Sequence, residues 1–203
     1  MTRLILVRHG ETEWNRTERY QGHTDIELST IGLWQAERLR DHLDGQRIDA
    51  VYSSDLKRAW RTAQIITSKR DLAVIPCKEL REIDFGKLEG MTRDEIQRHY
   101  PNWGDMSPDV GPPGGESLNQ FISRIKPFAS RLVEPTVDKT ILVVAHGGSL
   151  QVLIRILLKR DIEHQWWQMR LVNASITILE GCPGQMTLSL LSDTRHLEDY
   201  SLE

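Results

Sequence analysis

The sequence predicts an α/β fold, a three-layer sandwich in which a mostly parallel sheet carries helices on both faces. Short apolar runs typical of buried strands alternate along the chain with segments of helical periodicity. Two of these runs, residues 3–7 and 140–145, are followed at once by a segment that contains histidine and glycine. The length of 203 residues suits one domain with a core of its own, which we expect to span residues 1–203.

Three strands are predicted in the first half of the chain, at residues 3–7, 50–52 and 72–75. The helix between the first two begins at Ser29 or Thr30, since either suits an N-cap, and Gly45 lies near its end. The next helix begins at Ser54 or Asp55 for the same reason. The apolar residues expected to face the sheet are Leu33, Ala36, Leu39 and Leu43 in the first helix and Ala59, Ala63 and Ile66 in the second.

The middle of the chain predicts an insertion. Thr92 and Glu95 have the spacing of a capping box, which opens a short helix that ends near Pro101. Residues 101–115 are dense in Pro, Gly and Asp and predict a long loop. The helix and the loop together, at about residues 91–116, are expected to form a lid over the site.

The last third of the chain predicts another long helix, a strand, a further helix and a hairpin. The long helix begins at Ser117, and Pro127 inside it predicts a kink or a break. Its inward-facing residues are expected to be Phe121, Ile125, Phe128 and Leu132. The later elements are a strand at 140–145, a helix at 150–158, and strands at 175–179 and 186–191 joined by a turn at 181–185.

The composition excludes several classes of function. The formal net charge is −3 and the basic residues are scattered, so we expect neither nucleic acid nor acidic lipid as a partner. No apolar run reaches the roughly 18 residues that span a bilayer, so we expect no contact with a membrane. The two cysteines lie far apart and the chain opens on a strand rather than a signal peptide, which predicts a cytoplasmic protein.

Both His9 and His146 follow a predicted strand. In open α/β sheets, ligands bind beyond the carboxyl ends of the strands, so these two residues are expected to meet in one site.

Residues 8–15 (RHGETEWN) resemble the signature of the histidine phosphatase superfamily, which includes cofactor-dependent phosphoglycerate mutases and many small phosphatases. The resemblance spans nearly the whole chain and continues through residues 20–22 (YQG), 28–29 (LS), 53–59 (SSDLKRA), 80–86 (LREIDFG) and 144–148 (VAHGG). It implies a phosphoglycerate mutase-like fold and a phosphatase that forms a phosphohistidine. By this resemblance His9 is the nucleophile, Glu82 the proton donor, Arg8, Arg58 and His146 the phosphate pocket, and Asn15, Gln21 and Gly22 further substrate-binding residues.

Physical chemistry gives each residue type a reason. A neutral imidazole is a usable nucleophile, and we expect a hydrogen bond from its other nitrogen to a backbone carbonyl near Gly10 to fix the tautomer. Guanidinium groups match the developing phosphoryl charge, so Arg58→Lys is expected to be costly. His146 would add a third donor, and the amides of Gly147 and Gly148 would assist. The leaving alkoxide needs a proton, which Glu82 would supply from a protonated carboxyl.

The sequence disfavours three alternatives to this hypothesis. The sequence has neither a paired-histidine helix motif nor a cysteine cluster, so we expect no metal and no cofactor. A cofactor-dependent phosphoglycerate mutase is disfavoured, because mutases of the family typically carry a longer insertion between Glu82 and His146 and because residues 101–115 contain no basic residue. A noncatalytic module that binds phospholigands is disfavoured by the intact pair of His9 and Glu82.

The resemblance also bears on the substrate and the assembly. Among substrates known for similar phosphatases, α-ribazole 5′-phosphate comes first and a broad range of small phosphomonoesters second. A homodimer is common among similar enzymes, but the composition identifies no interface. His196 lies in a segment, residues 194–197, that resembles the tail of such phosphatases, and the sequence gives it no role.

Overall fold

In the computed structural model, which describes residues 1–103, 107–133, 138–162, 169–182 and 184–198, six strands form one open sheet. The strands are β1 (Thr2–Arg8), β2 (Ala50–Ser53), β3 (Val74–Pro76), β4 (Thr140–Ala145), β5 (Ile176–Cys182) and β6 (Gln185–Asp193). Their order across the sheet is β3-β2-β4-β1-β5-β6. The first four are parallel, β5 is antiparallel to β1, and β6 is antiparallel to β5, which confirms the mostly parallel sheet.

Within the described residues, six α-helices accompany the sheet: α1 (Glu13–Arg16), α2 (Thr30–His42), α3 (Lys57–Thr67), α4 (Arg93–His99), α5 (Leu118–Leu132) and α6 (Gly147–Leu157). Side chains of β1 alternate between two buried clusters. Leu4 and Leu6 pack with residues of α5 and α6, whereas Ile5 and Val7 pack with residues of α2 and α3. The sheet is therefore buried on both faces, and the predicted three-layer arrangement is confirmed.

Several predicted boundaries were wrong, and the reasons are tertiary. Helix α3 begins at Lys57 after an N-cap at Leu56 that makes no side-chain hydrogen bond, so neither Ser54 nor Asp55 caps it. Instead the Asp25 carboxylate accepts a hydrogen bond from the Lys57 amide at 2.7 Å. A side chain distant in sequence thus replaces the local cap.

Five other differences are smaller. Strand β3 lies two residues later than predicted at its start, and α6 begins at Gly147 rather than at residue 150. Helix α5 continues through Pro127, so of the predicted kink or break the break does not occur and the kink stays a prediction. Leu33, expected to face the sheet, is 37% exposed, although Ala36 and Leu39 of the same helix are fully buried. The hairpin strands extend to Cys182 and from Gln185, so the connection is shorter than predicted.

The described part of the 101–115 segment, residues 101–103 and 107–115, contains neither α-helix nor strand. It packs against the chain that follows Glu82, where the Pro113 carbonyl accepts a hydrogen bond from the Lys87 amide at 2.9 Å. Next to it, the Glu116 amide donates to the Asp84 carbonyl at 3.0 Å. The predicted loop is thus found beside the candidate site, while its closure as a lid stays a prediction. Among the described helices, none has the length and apolar character needed to cross a membrane.

Candidate active site

The register of β1 and β4 brings the two predicted histidines together. Arg8 pairs with Ala145 across these parallel strands, so His9 and His146 each stand one residue beyond the pair. The His9 amide donates to the Ala145 carbonyl at 2.9 Å, and the centroids of the two imidazole rings are 5.1 Å apart. The adjacent carboxyl ends of two central strands therefore fix the centre of the site.

His9 is held in a defined tautomer. Its Nδ1 lies 2.6 Å from the Gly10 carbonyl oxygen, which only accepts hydrogen bonds, so Nδ1 carries the proton and the lone pair of Nε2 is free to attack. The predicted bond near Gly10 is confirmed. Burial, followed by the charges of Arg58 and Arg8, holds the pKa of His9 well below its usual range. A buried imidazole that stays neutral suits a nucleophile.

His146 is also buried, and both of its ring nitrogens have protein partners. Arg58 donates from Nε to Nδ1 at 3.1 Å, so the proton lies on Nε2, which donates to the Ser54 hydroxyl at 2.8 Å. Burial and the charge of Arg58 lower the pKa of His146 well below its usual range. To donate to a phosphate, as the sequence predicts, His146 has to exchange one of these two hydrogen bonds.

Arg58, on the first turn of α3, is almost completely buried and uses all three of its nitrogens. Nη1 donates to the Thr24 carbonyl at 2.9 Å, Nη2 donates to the Gly22 carbonyl at 2.8 Å, and Nε donates to His146. Burial lowers the pKa of Arg58 to about 10, so the guanidinium remains charged at neutral pH. The carbonyls that hold it belong to a turn that is itself held by the carboxylate of Glu89, which accepts the Thr24 amide at 2.7 Å.

The backbone conformation at Gly22 requires a glycine in this turn. Its φ is +50°, a left-handed conformation that costs other residues energy, and an added Cβ would lie 2.0 Å from Glu89 Oε1. The residue acts through its carbonyl, which accepts from Arg58.

Arg8 is the second guanidinium of the site. Its Nη1 donates to the Leu171 carbonyl at 2.6 Å, while its buried Nε has no acceptor among the described residues. Burial lowers the pKa of Arg8 and the nearby charge of Glu82 opposes that shift. A buried donor without a partner is costly, so this nitrogen is suited to a ligand oxygen.

Glu82 reaches the same site from the loop after a 3₁₀ turn at Lys78–Leu80. Its Oε2 accepts from the Gly148 amide at 2.9 Å, and its Oε1 accepts from the Ile83 amide at 3.1 Å. The Gly148 amide, which was expected to assist in binding the phosphate, thus binds the candidate acid. Gly147 lies beside Arg8, where an added Cβ would be 3.7 Å from Arg8 Cζ. That Glu82 is protonated before the reaction stays a prediction.

Asn15 and Gln21 belong to one polar network that the sequence did not reveal in full. Asn15 Oδ1 accepts from the Thr12 amide at 3.1 Å and from Asn173 Nδ2 at 3.1 Å. Thr12 Oγ1 lies 2.9 Å from Gln21 Oε1. Asn173 also donates to the His9 carbonyl at 3.1 Å, so the network supports the backbone of His9.

These groups surround a small cavity of about 140 Å³. Its walls are Arg8, His9, Asn15, Arg19, Gln21, Gly22, Arg58, Glu82 and Phe85. Seven of these nine were predicted from the sequence; Arg19 and Phe85 were missed, although both lie next to or within motifs that carry the resemblance. His146 and Gly147 stand behind the walls rather than among them.

A larger groove of about 510 Å³ lies elsewhere, along residues 26–31 and α1. Glu11, Glu13 and Glu27 line it with a single cation, Arg16, so it would repel a phosphate dianion. The smaller cavity has the opposite balance, three guanidinium groups against one carboxylate. Within the described residues, no group of three His, Cys, Asp or Glu side chains could hold a metal ion.

Comparisons with known proteins agree with this geometry. Residues 4–194 match the model of the histidine phosphatase superfamily (branch 1). Phosphoserine phosphatase 1 of Hydrogenobacter thermophilus is 34% identical over 207 residues, which is 100% of this chain and 98% of that protein. A 2,3-bisphosphoglycerate-dependent phosphoglycerate mutase of Methylobacterium is 36% identical over 168 residues, 76% of this chain and 79% of the mutase.

Among solved structures, a putative α-ribazole-5′-P phosphatase of Escherichia coli is 33% identical and superposes with a TM-score of 0.88. The match covers 95% of this chain and 96% of that one. The phosphoglycerate mutase-like fold that the resemblance implies is thereby confirmed.

Proposed function

The chain belongs to the histidine phosphatase superfamily and is a phosphoric monoester hydrolase, and on that premise we propose that His9, Glu82 and two arginines perform the reaction. The observation that carries the proposal is the neutral, buried His9, which lines one cavity together with Arg8, Arg58 and Glu82. Every group needed for transfer of a phosphoryl group to an imidazole and then to water lines this cavity.

In the first step, Nε2 of His9 attacks phosphorus and the ester P–O bond breaks. The proton of Glu82 passes to the departing oxygen, so an alcohol leaves and a phosphohistidine remains. Nδ1 keeps its proton throughout, because its bond to the Gly10 carbonyl becomes stronger as the ring gains positive charge. Arg8 and Arg58 stabilise the charge on the phosphoryl oxygens, with Arg8 Nε as a donor ready for one of them.

In the second step, the carboxylate of Glu82 takes a proton from water, and the resulting nucleophile attacks the phosphohistidine. The P–N bond breaks, inorganic phosphate leaves, and His9 and Glu82 return to their starting forms. Gly148, whose amide donates to Glu82 Oε2, stabilises the ionised carboxylate between the two steps.

For the substrate we propose a small monophosphate, with α-ribazole 5′-phosphate first and a broad range of monoesters second. The cavity of about 140 Å³ is smaller than the roughly 300–1,000 Å³ that encloses a drug-sized ligand, so the described residues enclose the phosphate and few further atoms. The organic part of the substrate then lies toward Arg19, Phe85 and the described part of the 101–115 segment. Phosphoserine belongs in the test because a relative is named for it.

A panel of these esters at one pH tests the proposal, with kcat/KM as the measured quantity. We expect hydrolysis of several monoesters, with α-ribazole 5′-phosphate at the top, and loss of all activity in His9→Ala. A cofactor-dependent mutase is the second candidate because mutases are among the relatives. Phosphoglycerate interconversion that depends on 2,3-bisphosphoglycerate and exceeds hydrolysis would favour it.

We also propose a cytoplasmic location and a homodimer, which rest on cysteine usage and on the resemblance. Cell fractionation tests the first, and light scattering of the purified protein tests the second.

A further inference from the structure

Arg124, on α5, gathers the backbone that leads to Glu82. Its Nη1 lies 3.0 Å from the Glu79 carbonyl oxygen and 3.1 Å from that of Arg81. Its Nη2 donates to the carbonyl of Glu82 itself at 3.0 Å. One guanidinium thus binds several carbonyls of the segment that ends at the candidate acid.

The Glu82 carbonyl has a second donor from another segment of the chain. His23 Nε2 donates to it at 2.9 Å, and His23 follows Gly22, which lines the cavity. The position of His23 is set by its own amide, which donates to Glu89 Oε1 at 2.8 Å. The backbone of Glu82 is therefore held between α5 and the turn that binds Arg58.

Glu116 completes the arrangement. Its carboxylate pairs with Arg124 through both oxygens, and Oε1 also accepts from the Asp84 amide at 3.0 Å. The pair is mostly buried, with side-chain exposures of 22% for Arg124 and 15% for Glu116. Residues before and after Glu82 are thereby fixed to the same helix.

We propose that Arg124 and His23 are positioning residues that aim the Glu82 carboxyl at the departing oxygen. The inference rests on the proposed role of Glu82 and goes beyond it. Displacement of a reacting group by about 1 Å costs on the order of a hundredfold in rate, so two donors on the acid's own carbonyl matter to catalysis.

The test uses the leaving group, because proton donation matters only when the departing oxygen is basic. The 4-nitrophenolate of 4-nitrophenyl phosphate is a weak base and leaves without much help. The alkoxide of glycerol phosphate is a strong base and needs a proton to leave. For Arg124→Gln and for His23→Ala we expect kcat/KM to fall about tenfold or more for glycerol phosphate and less than about threefold for 4-nitrophenyl phosphate. Melting curves of the purified variants establish that they are folded.

Arg131→Gln is the matched control. Arg131 lies on the same helix, stacks on Phe128 as Arg124 stacks on Phe121, and pairs with Glu79, but it does not contact Glu82. We expect this variant to have the same kcat/KM as the unmodified enzyme for both esters. His23→Ala, at a partly exposed position, supplies the test if Arg124→Gln fails to fold.

Glu82→Gln separates the two levels of the argument. If this variant lowers kcat/KM equally for both esters, Glu82 is not the proton donor and both proposals are overturned. The alternative result is that Glu82→Gln lowers kcat/KM mainly for glycerol phosphate. If the folded His23 and Arg124 variants then lower kcat/KM equally for both esters, or for neither, only the positioning role is overturned.

Discussion

Replacement of Arg58 by lysine keeps the charge and removes the geometry. The guanidinium spans three acceptors, the carbonyls of Gly22 and Thr24 and Nδ1 of His146, at 2.8 to 3.1 Å. A lysine ammonium is a single point at the end of a flexible chain, so it cannot reach all three acceptors. In Arg58→Lys, one or two of these buried acceptors therefore lose their hydrogen-bond donor.

Each buried acceptor left without a donor costs about 1–3 kcal/mol. Arg58→Lys is therefore expected to lower the free energy of unfolding by about 2–4 kcal/mol. For a protein of this size that corresponds to a melting temperature lower by about 5 to 15 °C. Because the turn at Gly22 and the orientation of His146 depend on the same bonds, kcat/KM should fall about a hundredfold, as for loss of one aligned donor to a developing anion.

Urea unfolding and steady-state kinetics on 4-nitrophenyl phosphate measure the two effects. Arg61→Lys is the control, because Arg61 lies one turn further along α3 and is exposed. Wild-type stability together with wild-type kcat/KM in Arg58→Lys would refute the reasoning, since a single charge would then suffice.

Three further outcomes are expected. Gly22→Ala should destabilise the protein by more than Gly45→Ala. Both glycines have a positive φ, +50° at Gly22 and +71° at Gly45, but only at Gly22 does the new Cβ also meet Glu89. Equal urea midpoints for the two variants would contradict this. Because the pKa of His9 is lowered, its imidazole stays neutral as the pH falls below the ordinary 6.5, so the acid limb of kcat/KM, corrected for substrate ionisation, should lie below pH 6.5. A limb at or above 6.5 would argue against a buried nucleophile. Hydrolysis should continue in excess chelator, and a loss that zinc or magnesium restores would show that a metal takes part.

The strands and the residues at their ends were predictable because their signals are local. The apolar runs of β1 and β4 are buried on both faces, so they are continuous in sequence, and the histidines follow them directly. The two partners of the α4 capping box, Thr92 and Glu95, lie close together in the chain, and Ser117 was likewise expected at the start of α5, so both helix starts were predictable. Arg8, His9, Arg58, Glu82 and His146 came from motifs of the same local kind.

The features that were missed depend on contacts between distant segments. Asp25 caps α3 across 32 positions, and Asn173 reaches the His9 carbonyl across 164. No window of sequence contains both partners of either contact. Arg19 lines the cavity for a similar reason, since its Nη1 donates to the Gly90 carbonyl across 71 positions.

His196 gains a structural role from the same kind of contact. Its Nε2 donates to the Ala174 carbonyl at 3.0 Å, and the Ala174 amide donates to the carbonyls of Arg8 and His9. The segment near the end of the described chain thus supports the backbone of Arg8 and His9. Burial, with a smaller contribution from His42, lowers the pKa of His196 to about 4, so the ring is neutral at physiological pH.

Mass spectrometry of the enzyme quenched rapidly during turnover tests the central role of His9 most directly. We expect an acid-labile phosphoryl adduct on the peptide that contains His9, and no hydrolysis by His9→Ala. Absence of the adduct, together with full hydrolysis by the alanine variant, would contradict the account.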